Sequence, residues 1–301
     1  MKAVLISGDE TAVPSEYLQQ IRDAGIELAC RKCEGEAAVA EFAADAELIW
    51  MFGPNRGLTG AVLRQLPRCR AIFRSGSGLD ALPCAEAREL GIAVLNTPES
   101  IAECVAEHAV SLLFALIRQI PQYDVRVRRG FHWGDTPGLN WHISGRTLGL
   151  VGYGRIARHV EEMVSGFRMR VIHFDPADPN SLPLDEVLSQ ADYVSLHCPL
   201  TPETTRLINA ERLKRMKPNA LLVNTSRGAV VDEDALVAAL RNGTIGGAAL
   251  DVMSEEPPPA DHPLFQCENV IITPHIAAFS ADFTRNFWSC SARKIIEFFT
   301  A

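Results

Sequence analysis

Arg227, Glu256 and His275 have side chains that can bind a carboxylate and transfer a proton to a neighbouring carbonyl oxygen. A histidine gives or takes a proton near neutral pH, and a carboxylate beside it orients the imidazole and favours its charged form. An arginine binds a carboxylate through two parallel hydrogen bonds and polarises the adjacent carbonyl. Each residue alone also has a non-catalytic interpretation: Glu256 as an exposed loop acid, His275 as a structural histidine and Arg227 as part of a surface ion pair. Together they predict a catalytic set for a 2-keto acid.

Predicted strands place these residues at one edge of a sheet. Residues 220–226 form a strand that leads to Arg227, residues 247–251 end in an acid, and residues 269–273 lead to His275. Strands that alternate with helices form a parallel sheet, and ligands bind at the carboxyl ends of its strands. We therefore expect Arg227 and His275 at a ligand-binding edge.

A glycine turn in the sequence LGLVGYGRIAR predicts a dinucleotide at the same edge. The pattern is G-x-G-x-x-A: Gly152 allows the tight turn, Gly154 lets a pyrophosphate approach, and Ala157 lets the new helix pack on the strand. The amides of Arg155 and Ile156 at the helix N-terminus would donate to phosphate oxygens. The motif is weak evidence alone, since glycine turns are common, and the strand and acid that follow it strengthen the prediction.

Asp175 ends the next predicted strand, residues 170–174, at the spacing expected for an acid that binds ribose hydroxyls. A carboxylate there accepts a hydrogen bond from the 2′-hydroxyl and repels a 2′-phosphate. The alternative is an ordinary solvated aspartate. Taken with the glycine turn, Asp175 predicts NAD rather than NADP.

A second loop, Arg-Ser-Gly-Ser-Gly-Leu-Asp at residues 74–80, follows the predicted strand 71–73. Two glycines at a strand end expose backbone amides, so the amides near Ser77 and Gly78 could bind a small carboxylate. On spacing alone, a plain turn explains these residues better. His108, on a long predicted helix over residues 100–120 that Pro121 ends, fits a structural histidine better than a ligand-binding one.

Composition narrows the class of protein. The net charge of −8 in 301 residues argues against nucleic acid as a partner. Eight cysteines without paired or metal-ligand spacing predict reduced thiols, no metal site and a cytoplasmic location. The start of the chain does not read as a signal peptide, and the most apolar stretch, 109–117, is too short to span a membrane.

The N-terminal 95 or so residues alternate strand and helix and predict a small α/β unit of their own. Thr97-Pro98 interrupts the pattern, which suits a crossover between domains. Residues 133–145 are loop-rich, the later strands and helices alternate again, and residues 280–299 form a last helix.

The chain resembles the D-isomer-specific 2-hydroxyacid dehydrogenases. The resemblance covers nearly the whole chain and lies in five blocks in the family's order, namely GYGRIA, HCPLTPET, NTSRG, LDVMSEEP and TPHIA. It implies that Arg227 binds the substrate carboxylate and keto oxygen, that Glu256 rather than Glu255 pairs with the catalytic histidine, and that His275 donates the proton.

The resemblance also implies binding roles. Asp251 would contact the nicotinamide end of the cofactor, and Thr225 would border the cofactor. The loop with Ser77 and Gly78 would bind the substrate carboxylate.

In fold, the resemblance implies two Rossmann-like doubly wound parallel sheets. An NAD-binding domain, residues 98–278, would be inserted into a smaller flavodoxin-like substrate domain, residues 1–97 plus 279–301. Hinges would lie near Thr97 and Ala278, and family members are commonly homodimers built partly through the helix at 100–120.

Three departures refine the expectation. Since the sequence stops soon after the last predicted helix, we expect no counterpart of the regulatory C-terminal domain of many phosphoglycerate dehydrogenases. Gly53-Pro54 stands where those enzymes carry R-S-x-T, which argues against 3-phosphoglycerate. Formate-type relatives carry Gln where this chain has Glu256. We therefore predict an NAD-dependent enzyme for a small D-2-hydroxy acid, with glyoxylate or hydroxypyruvate as the keto acid. The alternative is an NAD(H)-sensing, corepressor-type binding protein with little turnover.

Overall fold

The computed structural model describes residues 1–53, 55–130 and 142–300. Within them the strands are β1 (Lys2–Leu5), β2 (Glu27–Cys30), β3 (Leu48–Met51), β4 (Ala71–Arg74), β5 (Ala93–Asn96), β6 (Thr147–Val151), β7 (Arg170–Phe174), β8 (Tyr193–Leu196), β9 (Leu221–Asn224), β10 (Gly247–Leu250) and β11 (Val270–Ile272). The helices are α1 (Ser15–Asp23), α2 (Glu36–Phe42), α3 (Gly60–Leu63), α4 (Cys84–Glu89), α5 (Ala102–Ile117), α6 (Ile120–Arg128), α7 (Arg155–Val164), α8 (Leu184–Gln190), α9 (Ala210–Arg215), α10 (Glu233–Arg241) and α11 (Phe283–Thr300).

The chain divides into two compact units. Unit 1 comprises residues 1–102 and 279–301, and unit 2 comprises residues 103–278. The first boundary lies beyond Thr97 because this residue is tied back into unit 1. Its amide donates to the carbonyl of Gly76, and its hydroxyl accepts from the amide of Gly76.

Unit 1 is a five-stranded parallel sheet with the strand order β2-β1-β3-β4-β5. Successive side chains of a strand face opposite sides of a sheet. Val4 and Ile6 therefore join one apolar core, and Ala3 and Leu5 join the other. Helix α11 completes the second core, where Trp288 contacts Trp50 edge to face. A sheet covered on both faces needs the near-continuous apolar strands that this sequence supplies.

Unit 2 is a six-stranded parallel sheet with the order β11-β10-β9-β8-β6-β7. The order reverses between β6 and β8, which is where an open α/β sheet binds its ligand. Strand β6 is buried along its whole length. Helix α7, which follows it, buries Ala157, Val160 and Val164, residues that share one helical face. Two doubly wound parallel sheets confirm the predicted fold class.

The helix predicted over residues 100–120 is wrong at its C-terminal end. Helix α5 ends at Ile117, Gln119 takes a left-handed conformation with φ of 50°, and Pro121 lies in the first turn of α6. Proline is favoured in the first turn of a helix, where its missing N–H costs nothing, so here it starts a helix rather than ending one. Residues 131–141, which include most of the predicted loop-rich segment, and Pro54 lie outside the described residues.

Among the described residues, no single helix is long and apolar enough to cross a membrane. Helices α5 and α6 reach the length only as a pair, and they are bent by 56° at their junction.

Candidate active site

His275 and Glu256 form a direct pair in unit 2. The imidazole Nδ1 lies 2.7 Å from Glu256 Oε2, and the other carboxylate oxygen, Oε1, accepts from the amide of Met253 at 3.0 Å. The carboxylate is therefore held by its own loop and in turn fixes the ring. Both side chains keep solvent access, with 51% of the His275 side chain and 38% of the Glu256 side chain exposed. The arrangement leaves Nε2 of His275 to meet a ligand.

The loop that carries Glu256 packs on the loop that carries Arg227. Gly228 follows Arg227 at the end of β9, and a Cβ placed on it would lie 2.0 Å from the carbonyl carbon of Met253. Only glycine permits this approach. The contact fixes the 227–228 backbone against the segment whose amide holds Glu256.

Asn224 shapes the turn that presents Arg227. This buried residue donates from its side-chain nitrogen to the carbonyl of Arg227 at 2.9 Å. Its side-chain oxygen accepts from the amide and the hydroxyl of Ser226. An asparagine that bonds the backbone two residues ahead makes a local turn without help from the sheet. The side chain of Arg227 is partly buried and donates to the carbonyl of Ser226.

Asp251 lies at the end of β10 and is almost completely buried, with 1% exposure. Its carboxylate accepts from the Thr273 hydroxyl at 2.6 Å and from the amides of Ile276 and Ala277. Its backbone carbonyl accepts from the amide of His275. The geometry thus makes Asp251 the anchor of the segment that carries His275, and its predicted contact with the nicotinamide stays a prediction.

The glycine turn lies at the reversal point of the unit 2 sheet. Gly152 has a φ of 86°, and a Cβ there would lie 2.6 Å from the amide nitrogen of Cys198, so both the conformation and the packing require glycine. Gly154, the N-cap of α7, would place a Cβ in open space among the described residues. The helix N-terminus therefore has room and free donors for a pyrophosphate.

Asp175 follows β7 and faces the same turn. One carboxylate oxygen accepts from the amide of Tyr153 at 2.7 Å, and the other accepts from the amide of Ala177 at 2.9 Å. Each oxygen keeps a second lone pair for a ribose hydroxyl. The Tyr153 ring stacks on His173 with centroids 3.7 Å apart, and its hydroxyl donates to Glu161. That hydrogen bond and burial raise the pKa of the Tyr153 phenol.

Polar groups left without partners lie at this edge of the sheet. Among the described residues, nothing pairs with the buried hydroxyl of Thr225, after β9, or with either ring nitrogen of His197, after β8. Burial raises the pKa of the adjacent Cys198 thiol to about 11, which makes it a poor nucleophile. An orphaned hydroxyl, an open glycine and a placed carboxylate fit a dinucleotide. Gly154, Arg155, Ile156, Asp175 and Thr225 would hold it.

The loop after β4 in unit 1 has its carbonyls tied back. Asn96 donates from its side chain to the Ser77 carbonyl at 2.8 Å, and Arg74 donates to the Gly78 carbonyl. Thr97 bonds both backbone groups of Gly76, which has a φ of 94°. Among the described residues, nothing accepts from the amides of Ser77 and Gly78. These amides are therefore free to bind an anion.

Comparison with known proteins decides the family. The model of the D-isomer specific 2-hydroxyacid dehydrogenase NAD binding domain matches residues 110–277, more than half of the chain. The chain belongs to the D-isomer-specific 2-hydroxyacid dehydrogenases. It is an oxidoreductase that uses NAD, as predicted.

Relatives of this dehydrogenase have several names. A glyoxylate reductase from Korarchaeum cryptofilum is 40% identical over 249 residues, which cover 79% of this chain and 75% of the relative. A glycerate dehydrogenase from Methylorubrum extorquens is 41% identical over 225 residues, covering 71% of each. The crystal structure of an Aquifex aeolicus D-lactate dehydrogenase with NAD and lactic acid superposes with a TM-score of 0.86. It is 28% identical, and the match covers 99% of this chain and 95% of that one.

Sequence reasoning did not identify Asn224, Thr273 or Gly228, which hold the segments that carry the predicted site residues. Asn224 carried a signal, since an asparagine two residues before a serine at a strand end is typical of a side-chain turn. Thr273 gave no signal, because its partner Asp251 is distant in sequence. Gly228 was visible after Arg227, but the backbone that it meets could be known only from the fold.

Proposed function

We propose that this dehydrogenase interconverts a small D-2-hydroxy acid and its 2-keto acid, with His275, Glu256 and Arg227 as the catalytic residues. The contact of 2.7 Å between His275 Nδ1 and Glu256 Oε2 carries the proposal. A histidine whose one nitrogen is engaged by a carboxylate presents its other nitrogen to substrate, which is the arrangement that proton transfer to a carbonyl oxygen needs.

In the reductive direction, protonated His275 donates the proton on Nε2 to the substrate carbonyl oxygen. Glu256 accepts from Nδ1–H throughout, so it fixes the ring and stabilises the charged imidazolium before the transfer. Bound NADH supplies the hydride that reaches the keto carbon. One proton and one hydride convert the keto acid to the hydroxy acid, and the neutral His275 then regains a proton from water.

Arg227 binds the substrate carboxylate and polarises the neighbouring carbonyl, as a guanidinium can do with two parallel donors. Within unit 1, we propose separately that the amides of Ser77 and Gly78 bind a small carboxylate. In this proposal unit 1 serves as the substrate domain and unit 2 as the NAD-binding domain.

Glyoxylate and hydroxypyruvate are the keto acids we favour. Relatives named glyoxylate reductase and glycerate dehydrogenase support a short substrate chain. Residues 50–56 also lack the R-S-x-T pattern expected for binding a phosphorylated substrate. A small pocket would favour one short acid over a longer one. Its contacts would discriminate between two acids that differ by one methylene by only about 1–3 kcal/mol.

A spectrophotometric panel tests the function. NADH oxidation is followed with glyoxylate, hydroxypyruvate, pyruvate and 3-phosphohydroxypyruvate, and repeated with NADPH. We expect the first two to give the highest kcat/KM, with NADH preferred. Tight NADH binding without turnover on any of these acids would instead favour a nucleotide sensor.

The catalytic residues are tested by His275→Gln and Arg227→Gln. Each should lower kcat/KM by about 10²-fold or more, because the proton donor or the carboxylate clamp is lost, while NADH still binds. Fluorescence titration with NADH provides the binding control. Wild-type turnover in either variant would refute its assignment.

We further propose a cytoplasmic homodimer. The resemblance implies the dimer, and the apolar side chains Ile120, Val125 and Val127 on α6 are 43–57% exposed, which an interface would cover. Sedimentation velocity tests the dimer: a monomer at micromolar concentration would contradict it.

A further inference from the structure

His108 lies on α5 of unit 2 and contacts the segment that carries His275. Its Nε2 is 3.1 Å from the Thr273 hydroxyl and 3.4 Å from Asp251 Oδ1. Only 21% of its side chain is exposed, and the Asp251 side chain is fully buried. The sequence alone favoured a structural role for this histidine. The contacts show that it packs against Thr273 and Asp251.

The hydrogen bonds have a defined direction. The Thr273 hydroxyl has one hydrogen, which it donates to Asp251 Oδ1 at 2.6 Å. The oxygen of the Thr273 hydroxyl can then only accept a hydrogen bond from His108, so Nε2 of His108 carries a hydrogen. His108 thus holds the Thr273 hydroxyl in the orientation that donates to Asp251, a buried carboxylate that is costly to leave short of donors.

Asp251 passes this constraint to the catalytic segment. Its carboxylate holds the amides of Ile276 and Ala277 at 3.0 and 2.9 Å, and its carbonyl holds the amide of His275 at 2.8 Å. His275 has a φ of 54°, a left-handed conformation that is uncommon outside glycine and persists only when its surroundings enforce it. The bonds to Asp251 enforce it here.

We propose that His108 is a positioning residue for the dehydrogenase reaction: through Thr273 and Asp251 it fixes the backbone at 275–277 and so the direction of the His275 imidazole. This inference rests on the proposed role of His275. His108 needs no contact with substrate or cofactor for this effect. It acts on the geometry of the His275–Glu256 pair, and a small misplacement of a reacting group is expensive in rate.

His108→Leu and His108→Gln provide the test. Leucine removes the donor, whereas a glutamine nitrogen can occupy the place of Nε2. We expect His108→Leu to lower kcat about tenfold, with KM and the NADH dissociation constant within about twofold of wild type. His108→Gln should keep kcat within about threefold of wild type.

A double-mutant cycle with Thr273→Val identifies the route. Because both residues act on the same carboxylate, the double variant His108→Leu/Thr273→Val should lose little more kcat than Thr273→Val alone. Fully additive losses would overturn the proposal. Glu107→Gln, an exposed neighbour on α5, is the matched control and should behave as wild type.

Other outcomes separate this inference from the proposed function. If His275→Gln is inactive but His108→Leu keeps wild-type kcat, the positioning role is refuted and the catalytic assignment stands. If His275→Gln retains wild-type turnover, the catalytic assignment itself fails. An equal loss in His108→Leu and His108→Gln would also overturn the proposal, since it would show that the shape of the ring matters and its donor does not. Thermal unfolding of each variant confirms that it is folded.

Discussion

Gly152 and Gly154 belong to the same turn but meet different demands. Gly152 is required by the protein itself, because its φ of 86° and its contact with Cys198 exclude a side chain. Gly154 has an ordinary φ of −79° and open space around its Cα among the described residues. The fold therefore does not require glycine at position 154, and we expect the missing side chain to leave room for the ligand.

Gly154→Ala should separate binding from folding. An alanine fits the backbone there and lowers the entropy of the unfolded chain, so we expect stability unchanged or raised by about 0.5 kcal/mol. The added methyl occupies the approach of the pyrophosphate, so the NADH dissociation constant should rise about tenfold or more. Fluorescence titration and thermal unfolding measure the two effects. Gly166→Ala, another glycine with open surroundings, should change neither.

Asp175 should set the preference between NADH and NADPH. Its carboxylate is held at the turn by the amides of Tyr153 and Ala177, where a 2′-phosphate would meet a fixed negative charge. Asp175→Asn removes the charge, so the ratio of kcat/KM for NADH over NADPH should fall about tenfold. Asp178→Asn, the next acid along the chain, is the control. An unchanged ratio in Asp175→Asn would show that another group selects the cofactor.

At the scale of elements, the end of β9 and the segment after β10 form one structure. Gly228 packs directly against the backbone of Met253, and the Met253 amide donates to the Glu256 carboxylate. The backbone segments that carry Arg227 and Glu256 therefore cannot move independently. Contact between the two backbones therefore fixes the spacing between Arg227 and Glu256.

Gly228→Ala should damage activity through this contact. A Cβ lying 2.0 Å from a backbone carbon cannot be accommodated by a side-chain rotation, so one of the two segments must shift. We expect kcat/KM to fall about 10²-fold and stability to fall by about 1–3 kcal/mol. Steady-state kinetics and denaturant unfolding test this. Activity near that of wild type would mean that the two segments move freely.

The sequence predicted helices and strands better than the breaks and long-range contacts between them. The strand predicted over residues 170–174 is found there as β7, because its residues pair along the whole of β6. The break at Gln119 was missed, since nothing local marks a left-handed glutamine. Helix α4 was missed as well, because its six residues are too few to show a helical pattern. Likewise Asp251 was noticed as an acid at a strand end, but its partners lie after β11 and on α5 and emerge only from the fold.

One buried group of unit 2, His197, makes the stability of the whole molecule depend on pH. Part of the surface of His197 reaches solvent, but both ring nitrogens are buried without partners among the described residues. Burial lowers the pKa of His197 to about 4, from the usual 6.5. In the unfolded chain the same imidazole takes up a proton below pH 6.5, while in the folded chain it stays neutral until about pH 4. Stability therefore falls as the pH drops from 6.5 toward 4 and is insensitive to this group above 6.5.

Between pH 7.5 and 5.5 this one histidine should cost about 1.4 kcal/mol of unfolding free energy, because the unfolded state is then largely protonated at the site. Ordinary carboxylates remain ionised over that range, so they do not obscure the effect. His197→Phe should flatten the pH dependence by that amount, whatever its own effect on stability at pH 7.5. Denaturant unfolding at the two pH values measures the difference, with His159→Gln on α7 as the control. An equal decline in wild type and His197→Phe would show that His197 is protonated in the folded chain, and that other groups account for the loss of stability in acid.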